Sequence, residues 1–235
     1  ARRIADEAGV AILPGCEFST LDADVLRKAR VEIGYPVLIK AVSGGGGRGI
    51  RIANSEEELI SMVKIASQEA KIAFGDDRVY IEKFIRPARH IEMQIIGDGK
   101  GTVIILGERE CSIQRRHQKL IEESPASRLD QTTRDQLYDA AHKVGMALNY
   151  RSLGTVEFLM DEKQNFFFIE VNPRIQVEHP ITEMVTGIDL VNTQLLLASS
   201  ECLTLQQDQV EVRGVAIEAR IIAEDPSKSF MPTSG

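Results

Sequence analysis

The sequence predicts an α+β fold with a small mixed block followed by a larger antiparallel sheet. Three observations carry that prediction. Between residues 36 and 85, short apolar runs alternate with a glycine-rich loop and one long helical period. From His90 the strands lengthen and pair through polar turns such as Asp98-Gly99-Lys100-Gly101. No internal repeat or low-complexity segment interrupts the alternation.

In chain order, residues 1–11 read as the last turns of a helix belonging to a preceding domain or linker. Thr20 to Gly34 reads as a helix, with Leu21, Val25, Leu26, Ala29 and Ile33 near helical spacing and Gly34 as terminator. A strand follows over 37–42, then the glycine loop and a second strand over 50–53. Ser55 with Glu58 forms a capping box that opens a helix to Phe74. Val79 to Phe84 is a strand and completes a lid-like unit spanning 12–85. The second unit, 86–235, holds a hairpin (91–96 with 102–106) and a helix over 131–148, N-capped by Asp130 and ended at Asn149. Strands over 153–160 and 166–171 flank a polar turn, and a helix over 189–199 and a strand over 215–223 follow. The chain opens without Met and closes on Met-Pro-Thr-Ser-Gly, so it reads as a piece truncated at both ends.

The 235 residues are 43% hydrophobic, enough for a full core, and carry a net charge of −7. That charge argues against a general nucleic-acid binder but leaves room for a local phosphate site. No run approaches a membrane span and no signal peptide is visible. Cys16, Cys111 and Cys202 are widely spaced and suit neither a disulfide framework nor a zinc site. A reducing compartment, cytoplasm or mitochondrial matrix, is expected.

Chemistry concentrates in a few stretches. Glu170, Asn172, Arg174, Gln176 and Glu178 occupy every second position, which an extended chain places on one side. Taken alone, that pattern fits a solvated strand face; the rest of the sequence shifts it towards a metal ion plus an anion. Lys40 precedes Ser43 and the loop Gly44-Gly45-Gly46-Gly47-Arg48-Gly49, whose bare backbone N–H groups and flanking cations suit a phosphate. Glu82-Lys83 ends a strand, where backbone groups could meet a purine or the pair could simply be solvated. His90 and Glu92 share a strand face. Gln114-Arg115-Arg116-His117-Gln118-Lys119 is either an anion site or a solvated basic run. Closing a hairpin with Asp161 opposite Phe166 sets Glu157 opposite Glu170. Like charges facing across strands destabilise unless a divalent cation lies between them, and hard carboxylate oxygens suit Mg²⁺ or Mn²⁺.

Lys40 with its glycine loop, Glu82-Lys83, Arg89-His90-Ile91-Glu92, Gln114 to Lys119, and Glu170 through Pro180 together resemble the ATP-grasp core of biotin carboxylase. The resemblance covers nearly the whole chain. Its most specific pieces are Gln-Arg-Arg-His-Gln-Lys and Asn-Pro-Arg-Ile-Gln-Val-Glu-His. It implies that Lys40 and Gly44 to Gly49, with Arg48, grip ATP from a mobile lid. Glu82 and the backbone at Lys83 would hold adenine, and His90, Gln114 and His117 would line the nucleotide pocket. Glu157, Glu170 and Asn172 would bind Mg²⁺ or Mn²⁺ at two sites. Lys119, Arg174, Gln176 and the backbone of Val177 would hold bicarbonate, Glu178 would deprotonate it, and Arg220 would stabilise the biotin enolate.

The resemblance further implies carboxylation of biotin on a carrier protein or domain, a separate carboxyltransferase, and a homodimer in the full-length protein, with no nucleic-acid or membrane partner. An isolated segment of this kind is expected to turn over poorly. The alternatives are another ATP-grasp ligase, of the carbamoyl-phosphate or purine-pathway type, and a nucleotide-binding module without catalysis.

Overall fold

The computed structural model describes residues 1–43, 50–115, 118–200 and 203–234. Helix α1 (Arg2–Glu7) is followed by β1 (Gly15–Phe18), α2 (Ala23–Lys28), β2 (Val37–Ala41), β3 (Arg51–Ala53), α3 (Glu56–Phe74) and β4 (Val79–Lys83). The four strands form an antiparallel sheet in the order β1-β4-β2-β3. Strand alternation sends Val37, Ile39, Val79 and Ile81 into one core, completed by Ala29, Ile33, Leu59, Val63 and Ala66 from the helical side. β1, only four residues long, is too short to show a period and is absent from the sequence reading.

Two helix starts differ instructively from expectation. The helix expected from Thr20 begins only at Ala23, because Asp22 acts as N-cap and accepts from the Val25 N–H at 2.9 Å. It then widens into a π turn over Ala29–Ile33, ended by Gly34 at φ +73°. In α3 the capping box is displaced by one residue. Ser55 Oγ accepts from the Glu58 N–H, but the Glu58 carboxylate reaches Asn54 instead of Ser55, accepting at 2.8 and 2.9 Å. Ser55→Ala is expected to cost about 1 kcal/mol, read as a lowered thermal midpoint. An unchanged midpoint would show that the Asn54–Glu58 bonds alone hold the helix start.

The larger layer contains β5 (Arg89–Asp98), β6 (Val103–Arg115), β7 (Gln118–Ser124), α4 (Gln131–Ala147), β8 (Arg151–Met160), β9 (Phe166–Asn172), α5 (His179–Thr186), α6 (Leu190–Ser200) and β10 (Ala216–Ala219). Its six strands run antiparallel in the order β10-β7-β6-β5-β8-β9. The short strands β11 (Glu224–Asp225) and β12 (Met231–Pro232) pair beyond it.

Strand β5 explains how this sheet positions a site. Its odd residues Ile91, Met93 and Ile95 are fully buried with Leu137, Ala141 and Val144 of α4, and Ala5 and Val10 join the same core. The alternate residues His90, Glu92, Gln94 and Ile96 take the opposite face. There Ile96 packs with Leu106 and Leu153 beneath Leu190 and Leu197 of α6. That face is therefore apolar at one end and polar at the other. Among the described residues, no helix is long and apolar enough to cross a membrane.

Candidate active site

Strand register sets one row of side chains across four strands. Arg109 of β6 lies opposite Glu92 of β5, Glu92 opposite Glu157 of β8, and Glu157 opposite Glu170 of β9. The neighbouring row is Gln94, Thr155 and Asn172. The expected Glu157–Glu170 pairing is present, but by a different path. The hairpin closes one residue off the expected register, with Met160 opposite Phe166, and a bulge at Ile169 restores the offset.

Carboxylates facing one another need compensation. Glu157, 6% exposed, receives it on both oxygens. His90 Nε2 lies 3.1 Å from Oε2, while Asn172 Nδ2 and Gln176 Nε2 donate to Oε1 at 2.7 and 3.1 Å. The Gln114 amide nitrogen lies 2.9 Å from His90 Nδ1 and fixes the orientation of the ring beside Glu157. Burial pushes the Glu157 carboxyl up, but the hydrogen bond and charge of His90, the Lys119 ammonium and the Gln176 amide outweigh it and hold the pKa well below the usual range. Glu170 moves the other way, raised by partial desolvation against the sheet and by the Glu157 charge.

Lys119 sits among three carboxylates. Its Nζ lies 2.6 Å from Glu178 and 3.3 Å from Glu157, and it contacts Glu92. Glu178, 2% exposed, also accepts from Arg220 Nη2 at 2.7 Å. Burial raises its carboxyl, and the Lys119 charge and hydrogen bond bring it below the ordinary value. Arg220 Nε holds the buried Glu122 at 2.7 Å.

Eight expected site residues therefore converge: His90, Gln114, Lys119, Glu157, Asn172, Gln176, Glu178 and Arg220. The others stand as follows. Glu170 lies on the same row, solvent-exposed. Lys40 Nζ donates to Glu82 Oε1 at 2.8 Å, and Arg2 holds the other oxygen at 3.1 Å. Glu82 is thus a buried ion pair between two cations, and the solvated strand end is corrected. Lys83 Nζ donates to the carbonyls of Gly34 and Tyr35 at 3.0 and 3.1 Å, closing the π turn. The N–H groups of Lys83 and Phe84 donate to the Pro14 and Pro36 carbonyls at 2.8 and 3.1 Å. A cavity of about 640 Å³ opens beside this strand end, lined by Pro36, Ile52, Phe84 and Ile85. Gly44, Gly45, Gly46, Gly47, Arg48, Gly49 and His117 lie outside the described residues.

The five alternating polar residues do not share one strand face. β9 ends at Asn172; Pro173 cannot donate to a ladder, and the chain turns into α5, with Pro180 in its first turn. Gln176 and Glu178 are carried inward, whereas Arg174 is exposed and donates to its neighbour Ile175 O at 3.1 Å, and Val177 is 61% exposed. The helix α5 and the buried partners Gln94, Arg109, Glu122, Thr155 and Thr182 were missed by sequence reasoning. Their visible trace is the polar period His90-Glu92-Gln94 inside an apolar strand.

The donor set fits a hard divalent cation. Glu92, Glu122, Glu157, Glu170 and Glu178 outnumber the fixed cations Arg109, Lys119 and Arg220. Glu122 Oε2 is buried without a hydrogen-bond partner. Glu170, raised by its facing carboxylate, is the group a cation would relieve.

Fold and site together define an ATP-grasp nucleotide-binding core. A family model described as "Carbamoyl-phosphate synthase L chain, ATP binding domain" matches residues 1–206, and the chain belongs to that family. Within it, the chain is similar to biotin carboxylase 1 of Bacillus subtilis, 53% identical over 100% of this chain and 52% of that protein. Among solved structures it resembles a Campylobacter jejuni biotin carboxylase–β,γ-ATP complex, with a TM-score of 0.91 and 47% identity over 98% of this chain and 51% of that one. The biotin carboxylase domain dimer of Hydrogenobacter thermophilus 2-oxoglutarate carboxylase, in complex with MgADP, ADP and bicarbonate, gives the same TM-score of 0.91 and identity of 47%, over 98% of this chain and 51% of that one. The chain spans about half the length of the curated biotin carboxylases it matches.

Proposed function

We propose that the full-length protein uses ATP and bicarbonate to carboxylate N1′ of biotin on a carrier protein or domain. The observation that carries this reading is the Glu178 carboxylate, held between Lys119 and Arg220 beside the Glu157–Glu170 pair. In the proposed reaction Glu178 takes the bicarbonate proton, and the freed oxygen attacks the γ-phosphorus of ATP, releasing ADP. The resulting carboxyphosphate splits into CO₂ and phosphate. Phosphate removes the N1′ proton of biotin, and the enolate adds to CO₂.

Lys119 and Gln176, with Arg174 and the Val177 backbone at the loop rim, hold the anion. Arg220 turns from Glu178 to the biotin oxygen, and losing that cation raises the basicity of Glu178. Glu157 and Glu170, with the Asn172 side chain, would hold Mg²⁺ or Mn²⁺ at two sites. Bound there, the ions would neutralise triphosphate charge. Lys40 would exchange Glu82 for a phosphate. A carboxyltransferase partner follows from the proposed product. A homodimer draws support from the neighbour described as a domain dimer, and a reducing compartment from relatives that include mitochondrial carboxylase subunits.

A carbamoyl-phosphate type of ligase is favoured by one observation, the description of the matching family. Bicarbonate-dependent ATP cleavage by the full-length protein separates the two. Stimulation by free biotin is the expected result. Cleavage indifferent to biotin would transfer the assignment to the second reading.

A further inference from the structure

Arg109 heads the fully buried side chains of the described residues by volume, at 0% exposed, and the reaction above gives it no part. Its Nη1 donates to Gln94 Oε1 at 2.7 Å and Thr182 Oγ1 at 2.9 Å. Its Nη2 donates to Glu92 Oε2 at 3.2 Å, Thr155 Oγ1 at 3.2 Å and Gln176 Oε1 at 3.1 Å. These partners come from β5, β8, α5 and the 173–178 loop. A cation needed only to neutralise Glu92 has no use for neutral acceptors on three further segments. Burying it is costly, since desolvation works against the charged form.

What the fork achieves is orientation. Gln176 lies beyond the end of β9, where no strand ladder holds the backbone. Its carbonyl oxygen on Arg109 fixes the amide, so that Nε2 donates to Glu157 Oε1 at 3.1 Å. Glu92 is fixed in the same way. With Oε2 on Arg109, its Oε1 is turned towards Lys119 and lies 3.3 Å from His90 Nε2. One guanidinium thus sets the amide that donates to Glu157 and the carboxylate that contacts the Lys119 ammonium.

We infer that Arg109 is a positioning residue for the anion-binding half of the site. It touches no substrate, and it acts through Gln176 and, by way of Glu92, through Lys119. This role rests on the proposed bicarbonate-dependent reaction. Lysine keeps the charge but cannot span a planar fork.

The test uses the full-length protein and steady-state kinetics. Arg109→Lys is expected to raise the KM for bicarbonate about tenfold, with the KM for ATP changed less than about twofold. Thr182→Val leaves the guanidinium in place and removes one acceptor. It should raise the bicarbonate KM about threefold, and it serves if the lysine variant does not fold. Combined with Gln176→Ala, Arg109→Lys should add clearly less than its own roughly tenfold bicarbonate defect, because the part that acts through the Gln176 amide is already lost and only the part through Glu92 and Lys119 remains. A lowered thermal midpoint with both KM values unchanged or equally altered, or additive defects, would overturn the role. Wild-type protein without bicarbonate-dependent ATP cleavage would instead overturn the functional reading, so the wild-type control tells the two failures apart.

Discussion

Replacing Glu178 by Gln in the full-length protein is expected to lower bicarbonate-dependent ATP cleavage by about 10²–10⁴-fold, with ATP affinity changed less than about twofold. The amide is nearly isosteric, but Lys119 and Arg220 contact separate oxygens of the native carboxylate at 2.6 and 2.7 Å, so its single oxygen accepts from only one of them and its NH₂ faces the other. Lys119 keeps Glu92 and Glu157, and Arg220 keeps Glu122. The surroundings therefore keep their other partners, and what is lost is one hydrogen bond and the capacity to take a proton. In the proposed reaction, nucleotide affinity depends on groups that Glu178 does not touch, the small sheet around Lys40 and the Glu157–Glu170 pair. An unchanged rate with intact ATP binding would remove Glu178 from catalysis and favour a nucleotide-binding module. Loss of ATP binding together with the rate would point to collapse of the Lys119 cluster instead.

The fold was legible where a period of two or 3.6 ran long enough. β5, β8 and α4 are such cases, with Asp130 capping α4 through the Thr133 N–H at 2.7 Å. The Glu157–Glu170 pair was legible by counting across a hairpin, yet the count succeeded only because two departures cancelled. A bulge inserts one residue without any compositional mark, so Ile169 could not be recognised beforehand. The 173–178 stretch was misread because polar alternation does not distinguish a strand from a loop that folds every second side chain inward. Pro173 at the strand end and Pro180 in the first turn of the following helix were the available signal.

Arg109 stayed hidden for another reason. β6 was expected to stop at Leu106, which left Glu108-Arg109-Glu110 outside any assigned element. The observed strand continues to Arg115, and pairing with Glu92 takes the guanidinium into the interior. Nothing local to residues 107–110 reports that partner, because it comes from the far side of the hairpin. Lys40 and Glu82 pose the same difficulty over a longer distance. Each charge was visible, and their contact was not, since it is made across the sheet between β2 and β4.

Lys119→Met is expected to be the most damaging single change to stability, costing about 3–5 kcal/mol, because it removes the cation shared by Glu92, Glu157 and Glu178 and leaves their charges buried and facing. The pH dependence should reverse as well. In the wild type, Glu157 and Glu178 titrate below the ordinary carboxylate value in the folded state. Their contribution is present above the unfolded value of about 4.3 and is lost as pH falls through the lower folded values. Without Lys119, burial and mutual repulsion dominate, so the folded values rise above the unfolded one. Stability is then greatest below about pH 4.3 and is lost as pH rises through the raised values. The gap in thermal midpoint between variant and wild type should therefore widen from about pH 5 to about pH 7.5. A gap that stays constant between those two conditions would mean that Lys119 acts by packing alone, and that the three carboxylates are balanced by other groups.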